Sequence, residues 1–155
     1  MSKKNIAVLG AGKMGLGIAQ LFATKGHQVK VIYVYDDKIR CDAAAVVRSN
    51  LSVLVENDVM TQQEADDAAA RISFVDTIEE VADFADIVFE GIIEKLEIKQ
   101  DYFAKMDAIF PVSTILATNT SAISITEIAE KSVHKERIIG THYWNPAYLV
   151  PLVEV

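Results

Sequence analysis

The feature that most constrains this chain is a glycine-rich turn near its N-terminus, in which Gly10, Gly12 and Gly15 form the pattern G-x-G-x-x-G. A short apolar run at residues 6–9 precedes the turn and is typical of a parallel strand buried on both faces. Apolar residues at helical spacing follow it. In such a strand–turn–helix, the glycines allow a tight turn, a close approach of backbone to a pyrophosphate, and close helix–strand packing. The pattern predicts a dinucleotide site at the start of the helix. The alternative is an ordinary tight turn.

Length and composition narrow the class of protein. At 155 residues the chain has the size of one domain, and no apolar run approaches the roughly 18–20 residues of a membrane span. The single cysteine, Cys41, excludes an internal disulfide and favours a cytoplasmic setting. The formal net charge of −7 argues against nucleic acid or an anionic membrane as partner. No metal-binding motif occurs, so we expect no metal site.

Strand and helix signals alternate along the rest of the chain. Thr61, followed three residues later by Glu64, forms a capping-box signature at one helix start. The predicted strands cover residues 6–9, 28–35, 72–75, 87–90, 114–118, 137–142 and 149–155, and the predicted helices start near residues 14, 38, 62, 78, 96 and 124. The helices over 38–56 and 62–71 predict a helical hairpin that projects from the core. The alternation predicts an α/β fold, a doubly wound and mostly parallel sheet with helices on both faces.

Polar residues end several of the predicted strands. They are Asp36, Glu90, Glu94, Asn119, Thr120, Ser121 and His142. Ligands of doubly wound sheets bind outside the carboxyl ends of the strands, so these side chains are expected to meet at one site. The hydroxyl and amide groups at residues 119–121 could bind a substrate oxygen or a nicotinamide, but they could equally satisfy turn backbone or cap the next helix.

His142 and Glu154 lie on the last two predicted strands, twelve residues apart around Asn145 and Pro146. If these strands pair, the carboxylate approaches the imidazole, fixes its tautomer and stabilises the imidazolium, as a general base requires. The spacing fits a structural histidine equally well. Residues 153–155 look like the inside of a strand, and we therefore expect residues 1–155 to be the N-terminal domain of a longer protein.

Four sequence blocks, in order, resemble the NAD-binding domain of the 3-hydroxyacyl-CoA dehydrogenase family and together span essentially the whole chain. They are GAGKMGLGIAQLFATKGH, GIIEKLEIK, ATNTSAISITEIA and GTHYWNPAYLVPLVEV. The resemblance implies a Rossmann-type fold and oxidation of a 3-hydroxyacyl-CoA by NAD, or the reverse. It also implies a helical C-terminal domain, absent from this chain, through which the full-length protein forms a homodimer.

The resemblance assigns roles to individual residues. His142 looks like the catalytic base, Glu154 looks like its orienting partner, and Ser121 matches a serine that contacts the substrate hydroxyl. With the glycine-rich turn included, the residues expected to bind the cofactor are Gly10, Gly12, Lys13, Met14, Gly15, Asp36, Glu94, Lys99, Asn119 and Asn145.

The chain departs from the family pattern at three places. Tyr33 stands where the family has an aspartate for the adenosine ribose, so Asp36 is expected to take that role, and the absence of an immediately following Arg or Lys favours NAD over NADP. Asn57 replaces a lysine that binds coenzyme A. The usual H-F-F-N-P is H-Y-W-N-P, and the run from Pro146 to Glu154 resembles relatives that oxidise free hydroxy acids such as gulonate or carnitine.

Three functions are therefore compatible with the sequence. The first is a 3-hydroxyacyl-CoA dehydrogenase, and the second is a dehydrogenase of a free 3-hydroxy acid. The third is a dinucleotide-binding module without turnover, a description that fits the isolated domain best. We expect the 155-residue chain alone to bind NAD weakly and to be almost inactive.

Overall fold

The computed structural model describes the backbone of residues 2–34 and 37–155, and the side chains of residues 2–34 and 43–155. The strands are β1 (Asn5–Leu9), β2 (Gln28–Ile32), β3 (Ile72–Val75), β4 (Ile87–Glu90), β5 (Ile115–Thr118), β6 (Ile138–Gly140), β7 (His142–Tyr143) and β8 (Val153–Glu154). The helices are α1 (Lys13–Thr24), α2 (Asp37–Glu56), α3 (Gln62–Ala70), α4 (Leu96–Ile109) and α5 (Ile125–Ile128). Two 3-10 turns, Glu79–Val81 and Lys135–Arg137, complete the regular structure.

A six-stranded parallel sheet carries the fold, with strand order β3-β2-β1-β4-β5-β6. The order reverses at β1, so the chain runs outward from β1 to β3 and then, from β4, outward in the opposite direction. This arrangement is a doubly wound, Rossmann-type sheet, as predicted. It creates a crevice at the carboxyl ends of β1 and β4, where such sheets bind their ligands.

Both faces of the sheet are covered by helices. Successive residues of β1 point to opposite faces, and each set packs in a different buried cluster. Ile6 and Val8 belong to one buried cluster, which includes residues of α1, α2 and α3. Ala7 and Leu9 belong to the other, which includes Phe103 and other residues of α4. All four β1 residues have no exposed surface. The unbroken apolar run is therefore explained by burial on two faces.

The predicted helical hairpin is formed by α2 and α3, and Thr61 caps α3 through the predicted capping box with Glu64. The hairpin does not stand free of the core. Leu51 of α2 and Ala68 of α3 are buried in the same cluster as Ile18 of α1. Its inner face is thus part of the domain.

Three predicted strands differ from the structure by more than one residue. The second strand ends at Ile32 instead of residue 35. Its neighbour β3 ends at Val75, and the Val75 oxygen still accepts the Tyr33 N–H at 3.0 Å. The strand predicted over 137–142 is divided into β6 and β7 at Thr141. The strand predicted over 149–155 is reduced to β8.

The C-terminal correction has a local cause. The N–H groups of Leu149 and Val150 both donate to the Pro146 oxygen at 3.0 Å, which makes a turn of this segment. Only Val153 and Glu154 remain extended, and they pair antiparallel with β7. In this register His142 lies opposite Glu154.

Candidate active site

The glycine-rich turn is held by packing that excludes larger residues at two of its three glycines. Gly10 has a φ of +107°, and a Cβ there would lie 2.9 Å from the Gly91 oxygen. A Cβ on Gly15 would lie only 1.9 Å from the Gly10 oxygen. These glycines therefore allow β1, β4 and the start of α1 to approach one another closely.

Gly12 is different, because a Cβ built on it meets nothing within 4 Å. It is the N-cap of α1 and provides no side-chain cap for the helix. The first-turn N–H groups, including those of Lys13 and Met14, have no acceptor within the helix. Open space beside a helix N-terminus with free N–H groups suits a pyrophosphate, and the turn therefore fits a dinucleotide.

His142 lies at the centre of a short chain of hydrogen-bonded side chains. Its Nδ1 is 2.6 Å from Glu154 Oε2, and its Nε2 is 3.1 Å from Ser121 Oγ. β7 and β8 place the first pair opposite each other, and the loop after β5 supplies Ser121. The structure thus brings together the three residues that were predicted to be catalytic.

The charge of Glu154 decides which nitrogen of His142 carries the proton. Hydrogen bonds from His142 and then Trp144 hold the pKa of Glu154 below its ordinary value of 4.5, so at neutral pH it is a carboxylate that can only accept. Nδ1 of a neutral His142 must then carry the hydrogen. Nε2 is left with a lone pair, which accepts the Ser121 hydroxyl.

Glu94 positions the loop that carries Ser121. Its Oε1 accepts the Ser121 N–H at 3.0 Å and also accepts the hydroxyl of Thr120. Burial alone would raise the pKa of Glu94, but the Thr120 hydrogen bond and the Lys99 charge outweigh it and lower the pKa overall. Glu94 is therefore an ionised group directly behind the serine.

Lys99 is the centre of a buried ionic network. Its Nζ lies 2.6 Å from Glu90 Oε1 and 3.2 Å from Glu94 Oε2, and only 1% of Lys99 and none of Glu90 is exposed. The second oxygen of Glu90 accepts the Thr118 hydroxyl at 2.6 Å. In this arrangement Lys99 holds Glu94 in place. Its own contact with NAD stays a prediction.

The two asparagines border the same cavity as the histidine. Asn119 Oδ1 accepts the Tyr143 N–H at 2.8 Å and so ties β7 to the loop after β5. Asn145 precedes Pro146 through a cis peptide bond. A cavity of about 260 Å³ is lined by Met14, Asn119, Ser121, His142, Tyr143, Trp144 and Asn145. The cavity connects the start of α1 to the histidine.

Some residues of the site were missed by the sequence reasoning, and one prediction is outside the described residues. Trp144 donates to Glu154, and Thr118 donates to Glu90. The only sequence signal for Trp144 was the tryptophan itself, which stands where the family has a phenylalanine. Asp36, the predicted ribose ligand, lies outside the residues that the structure describes.

The described residues contain neither a metal-binding cluster nor a membrane-spanning helix. No group of three or more His, Cys, Asp or Glu side chains in that part of the chain could hold a metal ion. No helix there is both long and apolar enough to cross a bilayer.

The fold and the turn define a dinucleotide-binding domain with an imidazole–carboxylate pair at the edge that binds the cofactor. A sequence model of the family described as 3-hydroxyacyl-CoA dehydrogenase, NAD binding domain, matches residues 5–155. The chain therefore belongs to the 3-hydroxyacyl-CoA dehydrogenase family, and it corresponds to the NAD-binding domain of that family.

Individual relatives agree with this placement. The chain is 41% identical to a probable 3-hydroxybutyryl-CoA dehydrogenase of Bacillus subtilis (strain 168), over all of the chain and 53% of that protein. It is 38% identical to a 3-hydroxyadipyl-CoA dehydrogenase of Escherichia coli (strain K12), over 98% of the chain and 32% of that protein. A crystal structure of 3-hydroxybutyryl-CoA dehydrogenase from E. coli K12 superposes with a TM-score of 0.92 at 35% identity, over 99% of this chain and 32% of the other. The chain thus spans about half the length, or less, of these relatives.

Proposed function

We propose that the protein to which this chain belongs is an NAD-dependent dehydrogenase that oxidises a 3-hydroxyacyl-CoA to the 3-oxoacyl-CoA, or catalyses the reverse reaction. The observation that supports the proposal most directly is the hydrogen-bonded chain from Ser121 through His142 to Glu154. It borders the same cavity as Met14 in the first turn of α1.

The residues have separate tasks in this proposal. The backbone of Gly12, Lys13 and Met14 would hold the pyrophosphate, with Gly10 and Gly15 shaping the turn. Asn119, Asn145, Glu94 and Lys99 would hold the nicotinamide half, and Asp36 the adenosine ribose. When bound, NAD supplies the acceptor for the hydride that leaves the hydroxyl-bearing carbon.

The proton of the substrate hydroxyl is handled by the protein. Ser121 Oγ holds the substrate oxygen, and Nε2 of neutral His142 accepts the proton as the carbonyl forms. The resulting imidazolium is stabilised by Glu154 at Nδ1. In the reductive direction the same Nε2–H returns the proton to the oxygen.

The first test is His142→Gln in the full-length gene product, assayed with acetoacetyl-CoA and NADH. Because Gln cannot take a proton at neutral pH, turnover should fall by roughly two to four orders of magnitude. His134→Gln is a matched control, since His134 is a half-exposed histidine paired with Glu136 and should tolerate the change. Near-normal turnover of His142→Gln would refute the assignment.

Cofactor binding can be tested on the 155-residue chain, whose only tryptophan, Trp144, lines the cavity. NADH should quench the tryptophan fluorescence. Gly12→Ala puts a methyl group into the open space beside the helix start and should weaken NADH binding about 10- to 100-fold, as the loss of one or two charged hydrogen bonds would. Its thermal stability should not fall. Equal NADH affinity in the two proteins would contradict the proposed phosphate site.

The substrate could also be a free 3-hydroxy acid. Asn57 favours this alternative, because it has no positive charge for coenzyme A and its Nδ2 donates to the Val53 oxygen in the last turn of α2 at 2.8 Å. A substrate panel with full-length protein distinguishes the two, with acetoacetyl-CoA compared against free 3-hydroxy acids. A clear preference for free acids would reject the CoA ester and leave the redox chemistry intact.

The domain arrangement is part of the same proposal. We infer that a helical domain beyond residue 155 completes the substrate cleft and forms a homodimer, which the greater length of the relatives supports. The 155-residue chain alone would then be a binding module, with weak NAD affinity and little turnover. Sedimentation and turnover of the chain and of the full gene product would test this, and robust turnover by the chain alone would contradict it.

A further inference from the structure

Trp144 contacts Glu154, although the proposed reaction assigns no role to the tryptophan. Its indole Nε1–H donates to Glu154 Oε2 at 3.3 Å, and the same oxygen lies 2.6 Å from His142 Nδ1. The indole ring is tilted against the imidazole, with the ring centroids 6.5 Å apart. The tryptophan backbone N–H also bonds the Leu152 oxygen at 3.3 Å, which fixes the residue beside β8.

Glu154 needs such a partner because little else restrains it. Its side chain is 59% exposed, and it stands on a strand of only two residues. A free carboxylate at such a place rotates between several rotamers, and only some of them face His142. An indole N–H is a donor only, so it interacts with the carboxylate whatever the protonation state of the histidine.

We propose that Trp144 is a positioning residue for the base: its indole N–H holds the Glu154 carboxylate facing Nδ1 of His142, and thereby keeps Nε2 free to take the proton. The part that concerns turnover rests on the proposed function. The part that concerns the orientation of Glu154 and the tautomer of His142 does not. The lowered pKa of Glu154 agrees with two donors at one oxygen.

Other polar and charged groups also lie near His142 and Glu154. Ser121 contacts Nε2 through its hydroxyl, and Glu94, with Lys99 behind it, bonds the backbone of that serine. These groups lie on the Nε2 side of the imidazole. Removing the indole N–H should therefore change the Nδ1 side alone.

The test is Trp144→Phe, which keeps an aromatic ring and removes the N–H. In the 155-residue chain, NMR titration should show the pKa of Glu154 rising towards the ordinary value. The fraction of neutral His142 that carries its hydrogen on Nδ1 should fall. In the full-length protein, kcat should fall roughly 3- to 10-fold with little change in KM, as the loss of one modest hydrogen bond predicts.

Tyr143→Phe is the matched control, because it removes the polar group of the adjacent aromatic residue, whose ring packs on Phe89. It should leave the titration of Glu154 unchanged. An unchanged Glu154 pKa and His142 tautomer in Trp144→Phe would overturn the proposal, and so would an equal shift in Tyr143→Phe. These NMR results stand even if His142→Gln keeps its turnover, so a failure of the positioning role can be told apart from a failure of the proposed reaction.

Discussion

Two pairs within this domain, each of a carboxylate and a nitrogen-containing side chain, have similar geometry and opposite surroundings. Lys99 and Glu90 are 2.6 Å apart and 1% and 0% exposed, whereas His142 and Glu154 are also 2.6 Å apart but have side chains that are 31% and 59% exposed. The first pair lies between β4 and α4, inside the domain. The second joins two short strands at the surface.

The difference corresponds to what each pair has to do. A buried charge is costly unless it is fully paired, so Glu90 and Lys99 hold each other in place and fix the structure around them. A base must gain and lose a proton in each reaction, and partial exposure keeps the cost of changing its charge small. We therefore expect the buried pair to govern stability and the exposed pair to govern turnover.

Lys99→Met should have the largest effect on stability. It leaves Glu90 buried without its cation and releases Glu94, and breaking a buried pair in this way costs about 3–5 kcal/mol. Chemical denaturation of the 155-residue chain would measure the loss. Lys131→Met is the control, because it breaks an exposed pair with Asp101 and should cost no more than about 1 kcal/mol. Equal losses in the two variants would show that burial is not the cause.

Thr118→Val tests the other oxygen of Glu90 and should have a smaller effect. It removes the hydroxyl that donates to Glu90 Oε2 at 2.6 Å in a fully buried position. A buried hydrogen bond to a charged group contributes about 1.5–3 kcal/mol, and the unfolding free energy should fall by that amount. In the control Thr77→Val, the lost hydroxyl bonds the exposed Glu80, and the unfolding free energy should change less. A Thr118→Val protein as stable as the parent would mean that Glu90 is satisfied without Thr118.

Glu154→Gln should lower turnover and leave stability almost unchanged, in contrast to the two variants of the buried network. At neutral pH its denaturation midpoint should stay close to that of the parent, since the side chain is mostly exposed. In the full-length protein its turnover should fall by roughly 100-fold or more, because an amide neither fixes the Nδ1–H tautomer nor stabilises the imidazolium. A variant that unfolds easily but keeps its turnover would contradict the division of tasks between the two pairs.

The sequence predicted the buried half of the molecule better than the exposed half. Glycine spacing and the apolar run of β1 located the turn, β3 and β4 have the predicted bounds, and α4 begins at the predicted residue. These elements depend on local signals, which are an apolar run for a strand buried on two faces and helical periodicity for a helix. Gly10 was predicted to permit the tight turn and Gly15 to permit close helix–strand packing, and the structure agrees with both reasons.

The exposed half depends on contacts that no local pattern encodes. The sequence suggested that His142 and Glu154 could meet, but only the antiparallel register of β7 and β8 places them opposite each other. The predicted strand is divided at Thr141 because the residues before it pair with β5, whereas the residues after it pair with β8. The indole contact of Trp144 follows from the same register. The register of such a pair depends on the geometry of the turn between the strands, which the local sequence pattern does not encode.

The smallest expected effect is on the pH dependence of stability. It is measured by comparing the denaturation midpoints of the parent and of Glu154→Gln at several pH values. Because hydrogen bonds from His142 and Trp144 lower the folded-state pKa of Glu154 below 4.5, its ionised form stabilises the folded chain. That contribution is fully present above the unfolded pKa and is lost as the pH falls through the lowered folded pKa. The denaturation midpoint of the parent should therefore converge on that of Glu154→Gln as the pH is lowered from about 6 to about 3.

The effect should be small because water screens the exposed pair of His142 and Glu154. The buried network around Lys99 should make a pH-dependent contribution of its own. Glu94 also has a lowered pKa, since the Thr120 hydrogen bond and the Lys99 charge outweigh the effect of burial. Acid should therefore still destabilise Glu154→Gln through Glu94. A midpoint difference that stayed constant over the whole pH range would mean that Glu154 gains nothing from ionisation in the folded state, and it would remove the electrostatic basis for its pairing with His142.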